Sequence, residues 1–242
     1  MARVVQLSDL HLTSRAGERT RGVDPLENLR GVLARVGRPD LVVLTGDLAA
    51  HPSASAYALL REAVGERPVR VIPGNHDDRD LLRAAFGLPA PRRTVGFVER
   101  IGGWRLIGLD TLTPGKTCGT LGVDQIDWLA GELATGSEPV LLFMHHPPMP
   151  IGTWWLDRDV VREAAQLGEV VARSGRVRGI FCGHVHQEKR GRLGEVDVMT
   201  TPSTSYQFLA GSLLPARVGA ERPGWRVIEL GDGKFETRVE RN

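Results

Sequence analysis

Short apolar runs alternate along the chain with longer segments in which apolar residues recur every three or four positions. Residues 4–7 and 41–44 are such runs, typical of strands buried in a parallel or mixed sheet. Between them, Asp24 and Pro25 mark the start of a helix with leucines on one face, and Gly37 marks its end. The same alternation continues through residue 86, and it predicts βαβ units.

A different pattern begins near residue 95, where two apolar runs flank Gly102-Gly103, which indicates an antiparallel hairpin with a two-residue turn. The predicted strands are 4–7, 41–44, 69–72, 95–101, 104–109, 140–143, 179–182, 196–200, 205–209, 225–230 and 235–239. The predicted helices are 25–36, 53–64, 81–86, 124–134 and 159–173. We expect one α/β domain over residues 1–242, a four-layer α/β/β/α sandwich of two mixed sheets flanked by helices.

The composition is that of a globular protein, with 41% hydrophobic and 25% charged residues, which disfavours disorder, coiled coil and collagen-like repeats. The 31 basic and 29 acidic residues leave a net charge of +2, which favours neither a nucleic-acid platform nor a membrane anchor. Two cysteines, Cys118 and Cys182, allow at most one disulfide and suit a reducing compartment. With neither a signal-peptide pattern nor a long apolar run, we expect a cytoplasmic protein.

Side chains that can bind metals follow directly after five predicted strands. They are Asp9, His11, Asp47, Asn75, His76, His145, His184 and His186. Because ligands bind at the carboxyl edge of open α/β sheets, these groups are expected to converge on one small volume. In Asp9-Leu10-His11 and His184-Val185-His186, spacing by two positions puts both side chains on the same side of an extended backbone.

Carboxylates, an amide and imidazoles without a thiolate form a donor set suited to Mn, Fe, Zn or Co. Each motif alone also has an ordinary structural interpretation: Gly46-Asp47 is a common turn, and Gly74-Asn75 supplies left-handed backbone to many loops. That interpretation gives no reason for all five strand ends to carry such residues. The pattern as a whole therefore predicts a joint metal site.

In this order, Asp-x-His, Gly-Asp, Gly-Asn-His-Asp, His and Gly-His-x-His resemble the motifs of the calcineurin-like metallophosphoesterases. The matching residues run from Asp9 to His186. Residues 143–148, 201–208 and 223–226 further resemble the class III cyclic-nucleotide phosphodiesterases of the bacterial cyclic AMP branch. Bacterial glycerophosphodiesterases are similar in the same segments.

The resemblance implies a centre of two transition-metal ions, divalent or of mixed valence, drawn from Mn, Fe, Zn and Co. It assigns one ion to Asp9, His11, Asp47 and His186, and the other to Asp47, Asn75, His145 and His184. Asp47 would bridge the two ions because each of its oxygens can bind a different cation. The ions would then lie about 3.5–4 Å apart.

The expected reaction is hydrolysis of a phosphodiester, with 3′,5′-cyclic nucleotides such as cyclic AMP favoured, by a hydroxide that bridges the two ions. His76 is the candidate to stabilise or protonate the departing oxygen, although a structural role is its alternative, and Asp77 is expected to orient the His76 ring. Substrate contacts are expected from His11, Asp47, Asn75, His76 and His186.

Other functions remain open at this stage. Glycerophosphodiesters and 2′,3′-cyclic nucleotides are alternative substrates. A catalytically silent interaction scaffold of the same fold should lack ligands, and here none is missing from the motifs. A nuclease is disfavoured by the balanced charge and by the absence of a long capping segment after His186. The resemblance also suggests a homodimer.

Three features near the motifs have no assigned chemistry. His146 should point away from its neighbour His145 and serve a structural role. One indole of Trp154-Trp155 is a candidate to stack on a nucleobase, with the core edge or a dimer contact as alternatives. The glycine-containing segment 113–122 is a candidate rim loop.

Overall fold

The computed structural model describes residues 1–89 and 93–242. The strands are β1 (Ala2–Leu7), β2 (Leu41–Thr45), β3 (Val69–Ile72), β4 (Phe97–Ile101), β5 (Trp104–Leu109), β6 (Val140–Met144), β7 (Val177–Cys182), β8 (Lys189–Leu193), β9 (Val196–Thr200), β10 (Gly224–Leu230) and β11 (Phe235–Arg241). The helices are α1 (Pro25–Val36), α2 (Ala54–Val64), α3 (Arg79–Phe86), α4 (Gly122–Ala134) and α5 (Ala164–Ser174).

Two mixed sheets form the centre of the molecule. One has the strand order β11-β10-β1-β2-β3, and the other has the order β4-β5-β6-β7-β9-β8. The strands β1, β2 and β3 are parallel in the first sheet, as are β5, β6, β7 and β9 in the second, while the remaining pairs are antiparallel. The predicted two-sheet α/β architecture is confirmed.

Three apolar layers explain why the sheets stack. Between the sheets, Val43 and Ile72 of the first face Leu141, Phe143 and Phe181 of the second, and the two phenylalanine rings stack at 5.4 Å. The outer face of the first sheet is covered by α1 and α2, and that of the second by α4 and α5. Central strands are therefore apolar on both faces, which is why they appear in the sequence as continuous apolar runs.

Helix ends follow the capping residues. The Asp24 carboxylate accepts hydrogen bonds from the backbone N–H groups of Leu26 and Glu27, both at 3.0 Å, and α1 ends at Gly37. The β4–β5 hairpin turns through Gly102 and Gly103, whose φ angles of 57° and 79° suit a two-residue turn of the primed type.

The register brings the loops of interest to one edge. Leu7 at the end of β1 lies beside Leu44 of β2, and Thr45 lies beside Ile72 at the end of β3. In the second sheet, Met144 at the end of β6 lies beside Cys182 at the end of β7. Five loops consequently leave the two sheets side by side.

Two predicted elements are wrong in detail, and one strand was missed. Residues 205–209 form no strand beyond a single bridge at Phe208, and the backbone carbonyls of Ser205 and Tyr206 accept from the side chains of Asn28 and His186 instead. The helix predicted from 159 begins only at Ala164, because residues 159–163 form turns. The strand β8 was not predicted, since its sequence KRGRL is largely charged and gives no apolar signal. It is an edge strand, where charge is common.

Cys118 and Cys182 are both free thiols, so the disulfide left open by the sequence does not form. Across the described residues, none of the helices combines the length and the apolar character needed to cross a bilayer.

Candidate metal centre

The side chains predicted to bind metal converge at the edge where the two sheets meet. The loops after β1, β2 and β3 contribute Asp9, His11, Asp47 and Asn75 from the first sheet, and the loops after β6 and β7 contribute His145, His184 and His186 from the second. All are buried except Asn75, which is partly exposed. Their ligand atoms form two adjoining groups.

The first group is centred on His186. Its Nε2 lies 3.3 Å from Asp9 Oδ1 and 3.0 Å from His11 Nε2, and His11 Nε2 lies 3.8 Å from Asp47 Oδ2. The Nδ1–H of His186 donates to the backbone carbonyl of Tyr206 at 2.6 Å. This bond leaves the lone pair on Nε2 directed into the site, as a metal ligand requires.

The second group surrounds the amide oxygen of Asn75. Asn75 Oδ1 lies 3.2 Å from His145 Nε2 and 3.1 Å from His184 Nδ1. His145 Nε2 also lies 3.4 Å from Asp47 Oδ1, while its Nδ1–H donates to the carbonyl of Thr45 at 2.7 Å. The two oxygens of Asp47 thus face different groups, one on each side.

These residues fit cations chemically. The facing Nε2 atoms of His11 and His186 lie 3.0 Å apart, so either a shared proton or a cation bound by both lone pairs would join them. The Asp9 and Asp47 carboxylates are buried without a lysine or arginine bonded to them in the described ranges. Oxygen and imidazole donors at these separations suit transition metals of intermediate hardness. The site therefore holds the elements of a dimetal centre.

Burial and charge act in opposite directions on these groups. Burial lowers the pKa of His11 and of His184 to about 3, so both imidazoles are neutral, the form that binds metal. Burial also lowers the pKa of His145, but the charge and hydrogen bond of Asp47 outweigh it and raise that pKa to about 9. In turn, the charge and hydrogen bond of His145 hold the pKa of Asp47 well below its usual range in spite of burial.

The backbone at the site is held in an uncommon conformation. Among the described residues, five of the seven non-glycine residues with positive φ are predicted ligands: Asp9, His11, Asp47, His184 and His186, at 48° to 70°. The extended backbone expected for the two Asp-x-His and His-x-His pairs is therefore wrong, although both pairs do reach the site. Left-handed conformations cost on the order of 1 kcal/mol each and gather at functional sites.

Close approach explains one glycine of the motif. A Cβ on Gly74 would collide with the backbone and carboxylate of Asp47 and with the ring of His145. Glycine therefore lets the loop after β3 pass close enough for Asn75 to reach its two histidine partners.

His76 lies beside the two groups and is exposed. Its ring meets the edge of the His11 ring at a centroid distance of 5.0 Å, and its Nδ1–H donates to the carbonyl of Ala50 at 2.9 Å. Its backbone N–H donates to Asp47 Oδ1 at 2.8 Å. The carbonyl of Ala50 orients the ring through Nδ1. Nε2, on the other side of the ring, is the nitrogen that a proton transfer would use.

Asp77 does not orient the His76 ring, which corrects that expectation. Its carboxylate instead accepts hydrogen bonds from the backbone N–H groups of Leu48, Ala49 and Gly74 and from the Tyr57 hydroxyl, at 2.8 to 3.3 Å. Burial raises the pKa of Asp77 to about 6, and the nearby charge of Asp47 adds to the effect. The carboxylate joins the loop after β2 to the loop after β3, because it accepts hydrogen bonds from Leu48 and Ala49 in the first and from Gly74 in the second.

His146 does not point away from His145, which corrects that expectation: the two ring centroids lie 4.7 Å apart, although both ring nitrogens of His146 bond to neighbouring loops. Its Nε2–H donates to the carbonyl of Thr117 at 2.9 Å, and its Nδ1 pairs with the Thr111 hydroxyl at 2.8 Å. Both ring nitrogens are therefore occupied even though the ring lies near His145 and His184. The loop 113–122 packs on this ring through Gly119.

Residues that the sequence did not single out individually complete one side of the site. The Tyr206 ring stacks on His11 at 5.2 Å, the Phe208 ring stacks on His186 at 4.2 Å, and the Ser203 hydroxyl donates to the Asp9 carbonyl at 2.6 Å. The available signal was the pair of aromatic residues in Tyr206-Gln207-Phe208, one residue apart after a polar run. On the opposite side, a polar cavity of about 440 Å³ opens beside Asn75, Arg79 and Leu112.

Two facing sheets with a buried cluster of carboxylates and imidazoles at their shared edge define a metal-dependent phosphoesterase fold. The chain belongs to the calcineurin-like phosphoesterase family, whose model matches residues 2–188. The predicted family and the predicted class of enzyme, a phosphoester hydrolase, are confirmed.

Two relatives are similar over nearly their whole lengths. The chain is 35% identical to the 3′,5′-cyclic adenosine monophosphate phosphodiesterase CpdA of Escherichia coli (strain K12), covering 99% of this chain and 89% of that protein. It is 31% identical to the 3′,5′-cyclic-nucleotide phosphodiesterase alr5338 of Nostoc sp., covering 98% and 91%. Among solved structures, a dimetal phosphatase from Danio rerio superposes with a TM-score of 0.71 at 15% identity, covering 99% and 96%, which shows the shared fold.

Proposed function

We propose that this protein is a cyclic-nucleotide phosphodiesterase that uses two transition-metal ions, with cyclic AMP as the favoured substrate. Asp47 is the observation that carries the proposal, because its Oδ2 faces His11 while its Oδ1 faces His145. One carboxylate between two groups of donors is what a pair of bridged ions needs. The names of the two relatives support the substrate.

The residues that would hold the ions are those of the two groups. One ion would be held by Asp9, His11, Asp47 and His186. The other ion would be held by Asp47, Asn75, His145 and His184. When bound, a pair of such cations neutralises phosphodiester oxygens and lowers the pKa of water from 15.7 towards about 7. Five residues border the space that the reacting phosphate would occupy. The proposed substrate contacts are therefore His11, Asp47, Asn75, His76 and His186.

His76 is the proposed proton donor to the departing oxygen. Its Nδ1–H is fixed on the carbonyl of Ala50, so the proton would leave from Nε2 on the opposite side of the ring. Because His76 is exposed at the edge of the site, the departing alkoxide can reach it and the ring can regain a proton from solvent. Asp77 acts differently, as a positioning residue that fixes the loops carrying Asp47 and Asn75.

Metal content and turnover test the proposal together. Purified protein should carry about two transition-metal ions per chain and should hydrolyse cyclic AMP faster than 2′,3′-cyclic AMP or glycerophosphodiesters. The variant Asp47→Ala should lose both the bound metal and the activity. Asp232→Ala removes an equally charged but exposed group from the β10–β11 turn and should change neither.

The outcomes separate the alternatives. Faster turnover of a glycerophosphodiester or of 2′,3′-cyclic AMP would replace the substrate while leaving the metal centre. Metal-loaded protein that hydrolyses no phosphodiester would overturn the enzymatic proposal in favour of an interaction scaffold. Elemental analysis after loading with Mn, Fe, Zn or Co shows which of these metals the protein retains and how many ions per chain. Sedimentation of the same samples would show whether the proposed homodimer forms.

A further inference from the structure

One side of the metal centre is lined by stacked flat groups rather than by polar loops. Phe208 stacks on the ring of His186 with centroids 4.2 Å apart and planes inclined by 25°. Trp155 meets the Phe208 ring edge-on, with the centroids 5.0 Å apart. The Arg21 guanidinium lies 5.4 Å from the Tyr206 ring centroid and 5.9 Å from that of Phe208. We call Arg21, Trp155, Tyr206 and Phe208 the aromatic rim.

The rim is fixed by backbone hydrogen bonds. Phe208 pairs with Val218 through a β-bridge, and Arg21 Nη1 donates to the carbonyl of Ala216 at 3.3 Å. Arg21 is exposed, Trp155 and Phe208 are partly exposed, and Tyr206 is buried against His11. The flat groups nearest solvent are thus held in place before any ligand arrives.

The two neighbouring indoles differ in where they point. Trp155 packs on Phe208, one ring away from the metal-facing His186. Trp154 is 45% exposed, donates from Nε1 to the carbonyl of Leu213 at 3.3 Å, and lies under the Arg158 guanidinium. Of the two candidates raised by the sequence, Trp155 is therefore the one directed towards the site.

We propose that the aromatic rim holds the nucleobase of the substrate, with Trp155 and Arg21 as its specificity-determining residues. The inference rests on the proposed cyclic-nucleotide function. Any base can stack on aromatic rings and on guanidinium planes, whichever hydrogen-bonding groups it carries, because every base offers a π-face. A glycerol or ethanolamine group offers none, so the rim favours nucleotides over glycerophosphodiesters.

The position of the rim agrees with this assignment. Phe208 lies directly against the ring of His186, whose Nε2 is 3.3 Å from Asp9 Oδ1, so the rim borders the first group of donors. In a nucleotide, a ribose joins the base to the phosphate. A phosphate held by the two donor groups would therefore place its base near the rim. Substrate specificity would come from this side of the site and reactivity from the other groups.

Competitive inhibition separates the base contact from the chemistry. We would measure inhibition constants of adenosine 5′-monophosphate and of inorganic phosphate against hydrolysis of bis(p-nitrophenyl) phosphate by the metal-loaded enzyme. Both inhibitors carry phosphate, so the inhibition constant of phosphate divided by that of adenosine 5′-monophosphate measures what the nucleoside contributes. Loss of one stacking partner should reduce that ratio about tenfold in Trp155→Ala and in Arg21→Ala.

Matched variants control for folding and charge. Trp154→Ala removes the adjacent indole, and Arg15→Ala removes the same charge from an exposed position on the same loop as Arg21. Both should keep the wild-type ratio, and Trp155→Phe should keep most of it because a π-face remains. Metal content and Tm of each variant show whether the site itself is intact.

Two failures are distinguishable. If the wild-type enzyme binds adenosine 5′-monophosphate more tightly than phosphate and Trp155→Ala and Arg21→Ala keep that preference, the rim does not hold the base and the inference is overturned. If the wild-type enzyme shows no such preference and does not hydrolyse cyclic AMP, the proposed cyclic-nucleotide function is overturned as well. An equal loss in Arg21→Ala and Arg15→Ala would show general attraction of anions and would also count against the rim.

Discussion

At the scale of single residues, the left-handed backbone at Asp9, His11, Asp47, His184 and His186 is the feature that the sequence hides best. Aspartate and histidine are enriched in this conformation relative to other non-glycine residues, whereas β-branched residues are rarely found there. The donor atoms and the backbone conformation consequently favour the same residue types. This explains why residues selected by a spacing argument based on extended backbone do converge, although the backbone there is left-handed.

Roles beyond ligation were harder to predict from the sequence. Asp77 was assigned to His76 because the two are adjacent, but its side chain turns to the backbone of Leu48, Ala49 and Gly74. A sequence shows which neighbours are available and does not show which way a side chain turns. His146 was expected to point away from His145, since alternate residues of an extended segment point to opposite sides, but the two ring centroids lie 4.7 Å apart.

His76 makes a residue-scale prediction that depends on the leaving group. Replacing it by alanine should lower kcat for cyclic AMP by about 10²- to 10⁴-fold, since a poor alkoxide leaving group needs a proton. The loss for bis(p-nitrophenyl) phosphate should be much smaller because p-nitrophenolate leaves without one. Steady-state rates on both substrates, with metal content measured in parallel, check this.

His51→Ala is the control for that variant, because His51 is also an exposed histidine in a loop of the first sheet. It should leave both rates unchanged. Equal losses on the two substrates in His76→Ala would indicate that His76 supports the site structurally and donates no proton.

At the scale of elements, the loops that carry ligands are held by short cross-links between neighbouring strand ends. The loop after β1 runs beside the loop after β2 through the N–H of Asp9 on the Gly46 carbonyl and the N–H of His11 on that of Asp47. Asp77 then ties the loop after β2 to the loop after β3. The ligand positions therefore depend on several loops at once.

Adjacent aspartates allow a sharp test of these cross-links. Asp77→Ala leaves three buried N–H groups and the Tyr57 hydroxyl without their acceptor, each at about 1–3 kcal/mol, so stability and bound metal should both fall. Asp78→Ala removes only the N-cap of α3 and should cost about 1 kcal/mol with metal content unchanged. Denaturant titration and elemental analysis measure the two effects. Equal metal loss in both variants would contradict the assigned role of Asp77.

Elements with an apolar or capped signature were predictable, and those set by tertiary contacts were not. The helix from Pro25 was placed correctly because Asp24 caps it and Gly37 ends it. The edge strand Lys189–Leu193 is stabilised by its neighbour β9, which its own residues do not reveal. The segment 205–209 was mispredicted as a strand because side chains of other elements, Asn28 and His186, take up the carbonyls of Ser205 and Tyr206.

At the scale of the whole molecule, the proposed metal centre spans the seam between the two sheets. Asn75 from the first sheet contacts His145 and His184 from the second, and Asp9 of the first contacts His186 of the second. Apolar contacts between Phe143, Phe181 and the facing sheet hold the same seam farther inside. Ions at the seam would therefore add to the stability of the entire fold.

Metal removal should consequently destabilise the protein. Ions present at about 100 times their dissociation constant contribute about 2.7 kcal/mol, so a chelator should lower Tm by about 5–10 °C in a chain of this size. Adding Mn should restore it. Asp47→Ala serves as the comparison, since its Tm should respond to neither treatment; a wild-type Tm that is indifferent to the chelator would contradict ligation at the seam.

The placement of the donors on both sheets also constrains when the protein can mature during synthesis. A nascent chain emerging from the ribosome first exposes the loops after β1, β2 and β3, whose donors face empty space until the second sheet docks. Only after β7 has left the exit tunnel can His184 and His186 close the two groups. If these side chains hold the ions, uptake would follow synthesis of β7 and the loop after it, and a chain stalled before β7 would lack the two histidines.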